Sequence, residues 1–339
     1  MLNIEENKSL SLYTTFKIGG LARYFIKVND EHEAKEAISW AKHKDLEILV
    51  IGQGSNMLLS DEGFSGLVIK NDIKGIKETK LDDHYIVVKA GSGEIWDDVV
   101  KYSLDKKYWG IENLSYIPGT IGAAPVQNIG AYGVELKDVF YSLELINFET
   151  LETKIFETHE CNFSYRNSIF KRQLKNQVFI SSVSLKLSLQ AHPHLNYGSL
   201  GDLIEKNIHE LEPSDISKAI VNIRKSKLPE PEEWGNSGSF FQNPEIKQED
   251  FKKLKEKYPD IKYYNLENGL IKVPAAWLID KAGWKGKSLG KAGVWGKQAL
   301  ILINLGGASA QDIIKLADTI ISDIEDKFEI KLVPEVNIY

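Results

Sequence analysis

Cysteine is nearly absent from this sequence: Cys161 is the single one among 339 residues. One thiol excludes an internal disulfide and a cysteine-built zinc site; by type it reads as a small buried apolar side chain. A surplus of positive charge is also absent. The 42 Lys and Arg stand against 48 Asp and Glu, a net charge of −6, which argues against nucleic acid as the main partner because phosphate binding needs a basic face. No apolar run approaches the roughly 20 residues of a membrane span. The start, MLNIEENKSLSLYTTF, has neither the basic opening nor the apolar core of a signal peptide. Internal repeats and low-complexity tracts are missing as well. These absences set the expectation of a globular, cytoplasmic, metal-free protein with no membrane and no nucleic-acid partner, monomeric by default.

What is present centres on residues 117–133, IPGTIGAAPVQNIGAYG. Gly119, Gly122, Gly130 and Gly133 alternate with small residues and two amides, Gln127 and Asn128, and no charge interrupts the run. A regular helix is excluded, since an interior Gly costs roughly 1 kcal/mol and Pro about 3. The plain reading is a loop whose glycines supply positive φ for turns; the functional one is a cradle that brings bare backbone close to a ligand. A second glycine turn, Gly52-Gln53-Gly54-Ser55-Asn56, follows the apolar run Ile48-Leu49-Val50-Ile51. It is not a Rossmann fingerprint. The third glycine would fall at Met57, and Asp61, Glu62 and Gly63 arrive where a long helix should run. Such a turn can still offer N–H groups to a diphosphate.

Elements follow from periodicity. A helix is expected over 30–43, with Asp30 as N-cap, Glu33 at the capping-box position and Ala34, Ala37, Ile38 and Ala41 on one face. Strands are expected at 48–51, 66–70, 85–90, 139–148, 178–189 and 299–304. The strand 178–189 alternates and should have one wet face. Helices are expected over 92–104, near 199–210 and 214–225, and over 248–257, 274–283 and 309–327. The last carries Ile313, Ile314, Ala317, Ile320, Ile321 and Ile324 on one stripe. PEPEEWGN, 229–236, suggests a domain seam, and the tail KLVPEVNIY ends as a strand. The unequal mixture of strands and helices implies α+β domains.

Three further residues carry possible chemistry. Arg166, in SYRNSIF, reads as a solvated charge or as a fork for a carboxylate or enolate. Ser239, in GSFF, reads as structural; no GxSxG elbow surrounds it, but a hydroxyl can donate a proton to a carbanion. Glu335 reads as a solvated terminal acid, or as a carboxylate needing a partner in the apolar run Val333 to Val336. Tyr197 reads as a loop aromatic. None of these is nominated by composition.

The motifs together resemble a known family. GQGSN with IPGTIGAAPVQNIGAYG looks like the FAD-binding module of the vanillyl-alcohol-oxidase (PCMH) type. SYRNSIF, KLP (227–229), GNSGSFFQNP (235–244), AAWLID (275–280) and LVPEVNIY (332–339) narrow this to the UDP-N-acetylenolpyruvoylglucosamine reductase (MurB) family, with a resemblance running from about Tyr13-Thr14-Thr15-Phe16 to the last residue. The resemblance implies an α+β fold: a bipartite FAD-binding module plus a smaller α+β substrate-binding domain. Its divisions are residues 1–75 and 76–228 as FAD-binding subdomains (a PCMH-type region at about 17–190), 229–328 as the substrate domain, and 329–339 as a tail returning to the active site. FAD would lie against Gly52, Gln53, Gly54, Ser55, Asn56, Ile117, Pro118, Gly119, Thr120, Gly122, Ala123, Gln127, Asn128 and Gly130. The substrate, UDP-GlcNAc-enolpyruvate, would meet Tyr132, Tyr197, Lys227, Asn243 and Gln298, with Tyr197 marking the subgroup whose tyrosine loop closes over the diphosphate. Asn167 follows Arg166 where some members carry an acid.

The implied reaction is NADPH-dependent. Hydride passes from reduced flavin to C3 of the enolpyruvyl group, Arg166 and Glu335 hold the developing enolate, and Ser239 protonates C2 to give UDP-N-acetylmuramate for peptidoglycan, hence roles in cell shape and division. Neither glycine turn contains the His or Cys through which covalent relatives attach flavin, so FAD is expected to be dissociable. Two alternatives stay open: a flavin oxidase or dehydrogenase of another small alcohol or sugar, which gives GSFFQNP and the terminal Pro-Glu-Val no role, and a non-catalytic nucleotide-sugar binding protein.

Overall fold

The computed structural model describes residues 2–198, 200, 201, 204, 207, 210–266 and 268–339. The chain forms two compact units, each assembled from separated stretches. The first comprises Met1–Lys8, Ala22–Gln53 and Phe64–Arg224; the second comprises Ser9–Leu21, Gly54–Gly63 and Lys225–Tyr339.

In the first unit, the apolar run Ile48–Ile51 is a buried strand parallel to Phe64–Asn71, which is parallel in turn to Leu21–Val28. Glu5–Ser9 completes this four-stranded sheet. Parallel strands need a crossover, and helix Glu31–His43 supplies it with Ala34, Ala37, Ile38 and Ala41 buried. The Asp30 carboxylate fixes its start, accepting from the Glu33 N–H at 2.8 Å. Glu33 does not close a box on Asp30; its carboxylate accepts from the Asn29 N–H at 2.7 Å.

A second sheet in this unit is antiparallel and runs Thr153–Glu157, Phe140–Asn147, Val178–Ser188, Tyr85–Gly91, Ile76–Lys80. Here the expected wet face of the central strand is overturned. Ser181, Ser182 and Ser184 are buried, and only Lys186 is open. The serines are small enough to be covered, and two of the hydroxyls have named acceptors: Ser181 donates to Glu31 at 2.7 Å and Ser182 to Glu144 at 2.9 Å. The helix expected from 92 begins only at Trp96. Residues 92–95 are engaged by the glycine-rich segment instead, with the Gly122 N–H bonded to the Ser92 carbonyl and the Ile121 N–H to the Glu94 carbonyl, both at 2.9 Å. Most of the helix expected near 199–210 lies outside the described residues; the next runs Pro213–Lys227.

In the second unit, the antiparallel sheet Gly235–Ser239, Ile301–Asn304, Ala292–Val294, Ser288–Leu289 packs with helix Ala310–Phe328. That helix buries Ile313, Leu316, Ala317, Ile320, Ile324 and Phe328, while Ile314 and Ile321 flank the core. Each fully buried side chain of this kind is worth about 1.5–3 kcal/mol. Ser309 and Asp312 form a capping box, and the Asp61 carboxylate accepts the Ala310 N–H at 2.8 Å. Helix Gln248–Lys257 has the expected bounds, and helix Ala275–Lys281 lies inside its own.

Candidate active site

Within the first unit, Gly52 and Gln53 of one glycine turn meet the other glycine-rich segment. The Gln53 side-chain oxygen accepts the Gly119 N–H at 2.8 Å. Gly52 faces Thr120 so closely that a Cβ there would lie 2.4 Å from the Thr120 hydroxyl. The Gly119 carbonyl accepts the Trp96 N–H at 3.0 Å, which holds the segment against the start of that helix. Gly119 stands at φ +121°, a conformation that favours glycine. Pro118 and Ala123 are exposed and Ile117 half-buried, while Gly122 is buried against Ser92, where a Cβ would stand 2.6 Å from the Ser92 Cβ. The N–H groups of Gly119, Ile121, Gly122 and Ala123 are taken by Gln53, Glu94, Ser92 and Thr120, so the protein itself fixes the shape of this segment, and no carboxylate stands among 117–123 to repel the diphosphate of a flavin dinucleotide.

Asn128 is fully buried and left-handed at φ +46°. Its amide donates to Glu135 at 2.9 Å and to the Ser164 carbonyl at 3.2 Å, and accepts from the Lys137 N–H at 3.0 Å. It therefore shapes the segment from inside, next to half-buried Gln127. A Cβ at Gly130 would stand 3.0 Å from both the Glu135 Cγ and the Val134 carbonyl oxygen and 3.1 Å from the Arg166 guanidinium, and Arg166 donates to the Gly130 carbonyl at 2.7 Å. Arg166 is half-buried at φ +52°, with its guanidinium over the Tyr165 ring. It is thus held by the glycine segment while staying partly open to solvent. Asn167 accepts from Arg172 at 3.0 Å.

Tyr132 and Tyr197 pack edge to face with centroids 5.9 Å apart, and Tyr197 remains 47% exposed. Burial pushes the Tyr132 phenol above its ordinary pKa, opposed by the Arg224 charge. Arg224, whose own pKa burial lowers, donates to the Tyr116 carbonyl at 3.1 Å. The sequence reading missed Arg224, which lies within the helix expected over 214–225. It also missed Asn113, whose buried amide donates at 2.9 Å to the carbonyls of both Tyr132 and His194.

The second unit brings Ser239 and Glu335 onto neighbouring stretches. The Glu335 N–H donates to the Phe240 carbonyl at 2.8 Å, and Phe241 bridges Pro334. Glu335 is 9% exposed while Ser239 is open. The tail then pairs Asn337 with Met57 and Ile338 with Leu58 in parallel, and the Asn337 N–H reaches the Asn56 carbonyl at 3.2 Å. The stretch Gly54-Ser55-Asn56 therefore shares this unit with Ser239 and Glu335. Asn243 accepts the Ala275 N–H at 2.9 Å, fixing the start of that helix. Exposed Lys227 is placed through its carbonyl, which takes the Trp295 indole N–H at 2.8 Å. The Gln298 carbonyl accepts the Ile301 N–H at 3.1 Å in the turn before that strand. Among the described residues no cluster of His, Cys, Asp and Glu is arranged to hold a metal, and no helix is long and apolar enough to cross a membrane. Cys161 is buried, its thiol pushed up to about 12 by burial.

Joined glycine turns of this kind suit a dinucleotide, and residues 22–150 match the FAD-binding domain family, which makes the chain a flavoprotein. Residues 230–339 match the C-terminal domain of UDP-N-acetylenolpyruvoylglucosamine reductase. The reductase of that name from Flavobacterium johnsoniae is 44% identical over 99% of this chain and 100% of its own. The one from Pseudomonas putida is 43% identical over 99% and 98%. The crystal structure of the Thermus caldophilus enzyme shares the fold, with a TM-score of 0.69 over 100% of this chain and 99% of that one at 22% identity. The chain belongs to the UDP-N-acetylenolpyruvoylglucosamine reductase family, flavin-dependent enzymes with FAD as cofactor and NADPH as reductant.

Proposed function

We propose that this chain reduces the enolpyruvyl group of UDP-GlcNAc-enolpyruvate to give UDP-N-acetylmuramate, with Arg166, Ser239 and Glu335 as its catalytic residues. The observation that carries the residue roles is the pairing that sets nearly buried Glu335 beside the strand of open Ser239. When bound, FAD reduced by NADPH supplies the hydride that enters at C3. Arg166 pairs the substrate carboxylate, for which its planar fork is suited. Glu335 helps to hold the enolate form. Ser239 delivers the proton to C2, completing saturation of the C2–C3 double bond; positioned acids of this kind contribute about 10²–10⁴-fold.

The two glycine turns, with Gln127 and Gly130, hold FAD without a covalent bond, and buried Asn128 serves the cofactor by shaping the segment from behind. Tyr132, Tyr197, Lys227, Asn243 and Gln298 hold the sugar nucleotide, with Tyr197 closing over its diphosphate. Residues 1–75 and 76–228 serve the flavin, 229–328 the substrate, and 329–339 return Glu335 to the reaction; the pairing of Asn337 with Met57 supports that last assignment. The enzyme works as a cytoplasmic monomer, and its product feeds the cell wall that sets cell shape and permits division.

Purified protein should be yellow, bleach anaerobically with NADPH and regain its colour on adding the enolpyruvyl sugar nucleotide; failure to regain it sinks the proposal. Denaturant should release all of the flavin, and colour remaining on the chain refutes the non-covalent assignment.

A further inference from the structure

The segment Tyr13-Thr14-Thr15-Phe16 marks the start of the family resemblance, yet nothing so far gives it work. Its geometry does. Thr15 lies between the glycine turn and the strand of Ser239, all within the second unit. On one side its N–H donates to the Gly54 carbonyl at 3.2 Å; on the other its carbonyl accepts the Asn236 N–H at 3.0 Å. Its hydroxyl donates to the Asn236 carbonyl at 2.6 Å. The fit is close on both sides: a Cβ at Gly54 would stand 2.2 Å from the Tyr13 carbonyl oxygen, and one at Gly235 would stand 2.3 Å from that of Phe16.

Asn236 passes this restraint to Ser239. Its side-chain oxygen accepts the Gly238 N–H at 2.9 Å, and Gly238 sits at φ +71° where the register between Asn236 and Ser239 shifts. That irregularity re-aims the residue that follows it, as bulges do. Gly54, Thr15, Asn236, Gly238 and Ser239 thus form one continuous chain of hydrogen-bonded or adjacent groups.

We propose that Thr15 is a positioning residue for the proton-delivery step: its hydroxyl fixes Asn236, and through it the bulge that aims Ser239, relative to the Gly54 turn. This rests on the proposed role of Ser239. Thr15→Val keeps the shape and removes the hydroxyl; Thr15→Ser keeps the hydroxyl. The two half-reactions are followed separately by stopped flow, together with FAD affinity and thermal unfolding. Thr15→Val should leave FAD affinity and flavin reduction by NADPH unchanged and slow reoxidation by the enolpyruvyl substrate about tenfold, the scale of a small misplacement. The solvent deuterium isotope effect on that step should rise, and Thr15→Ser should restore the rate.

In a Ser239→Ala background, Thr15→Val should add nothing, because the two residues act on one step. Equal slowing of both half-reactions, loss of FAD in step with the rate, or additive effects with Ser239→Ala would each overturn the inference. If Thr15→Val does not fold, Thr15→Ala takes the same tests. A normal rate in the Thr15 variants beside a slow Ser239→Ala removes this inference alone. A normal rate in Ser239→Ala removes the proton-donor role and this inference with it.

Discussion

Segment 117–133 takes much of its shape from its own residues: Gly119 at φ +121°, Gly133 at +83° and left-handed Asn128 at +46°. The partners that seat it, Ser92, Glu94 and Trp96, with Arg166 36 residues and Gln53 66 residues from their contacts, are nearer in sequence than the farthest partner around Ser239. The surroundings of Ser239 are built the other way. That strand is held by Thr15, 221 residues from Asn236 in sequence, by Ile301 in the sheet and by the tail at Glu335. A cofactor cradle made of turns can be written locally, because each turn is fixed by the backbone preferences of a few residues. The proposed proton donor, which must be aimed at one atom, sits on a strand fixed by several distant restraints together. The comparison predicts different failures: damage to a glycine turn should remove the cofactor, while damage around Ser239 should leave a flavoprotein that stops halfway.

The largest expected effect is at the turn. In Gly54→Val the new Cβ would stand 2.2 Å from the Tyr13 carbonyl oxygen, at φ +64°. Backbone cannot yield there as a side-chain tip does, so a loss of about 3 kcal/mol or more is expected. The protein should be colourless; yellow protein of ordinary thermal stability would show the turn to be more forgiving than its geometry implies. Ser239→Ala should be milder and selective. Its flavin should still be reduced by NADPH at the ordinary rate, while reoxidation by substrate slows by about 10²–10⁴-fold. Equal slowing of both half-reactions would refute its role as the acid and blur the contrast between the two regions.

The same contrast explains how much the sequence revealed. Helix Gln248–Lys257, strand Ile48–Ile51 and both glycine turns were legible, because periodicity and turn chemistry are local. Buried Ser181 and Ser182 were not, because serines in a strand look wet until distant Glu31 and Glu144 accept their hydrogen bonds. The late start of helix Trp96–Asp105 depends on pairing with residues 119–122. Arg166, Ser239 and Glu335 were reached through family resemblance; their residue types alone favoured solvent or structure. Arg224 and Asn113 carried no signal at all, since their meaning lies in the carbonyls of Tyr116, Tyr132 and His194.

The smallest expected effect tests how self-contained segment 117–133 is. Glu112 lies in the short 3-10 turn Glu112–Leu114 just before it. It is 1% exposed, with one carboxyl oxygen taking the Gly110 N–H at 2.6 Å and the other without a hydrogen-bond partner. Burial raises its pKa above 4.5, outweighing the stabilising Gly110 N–H. The folded protein therefore keeps a proton that the unfolded chain releases once the pH passes about 4.5. Its contribution to stability is greatest below that pH and falls as the pH climbs towards the raised folded value, by at most about 1.4 kcal/mol per pH unit. Glu112→Gln keeps the shape and cannot titrate. Its melting temperature should lack that component of the decline, so that the two proteins diverge on the alkaline side of pH 4.5. FAD affinity measured over the same range should fall in the parent protein alone if the turn supports the cradle. Parallel melting curves would show that the buried carboxyl does not couple to folding, and unchanged FAD affinity beside diverging curves would show that the glycine segment holds its shape independently of the turn before it.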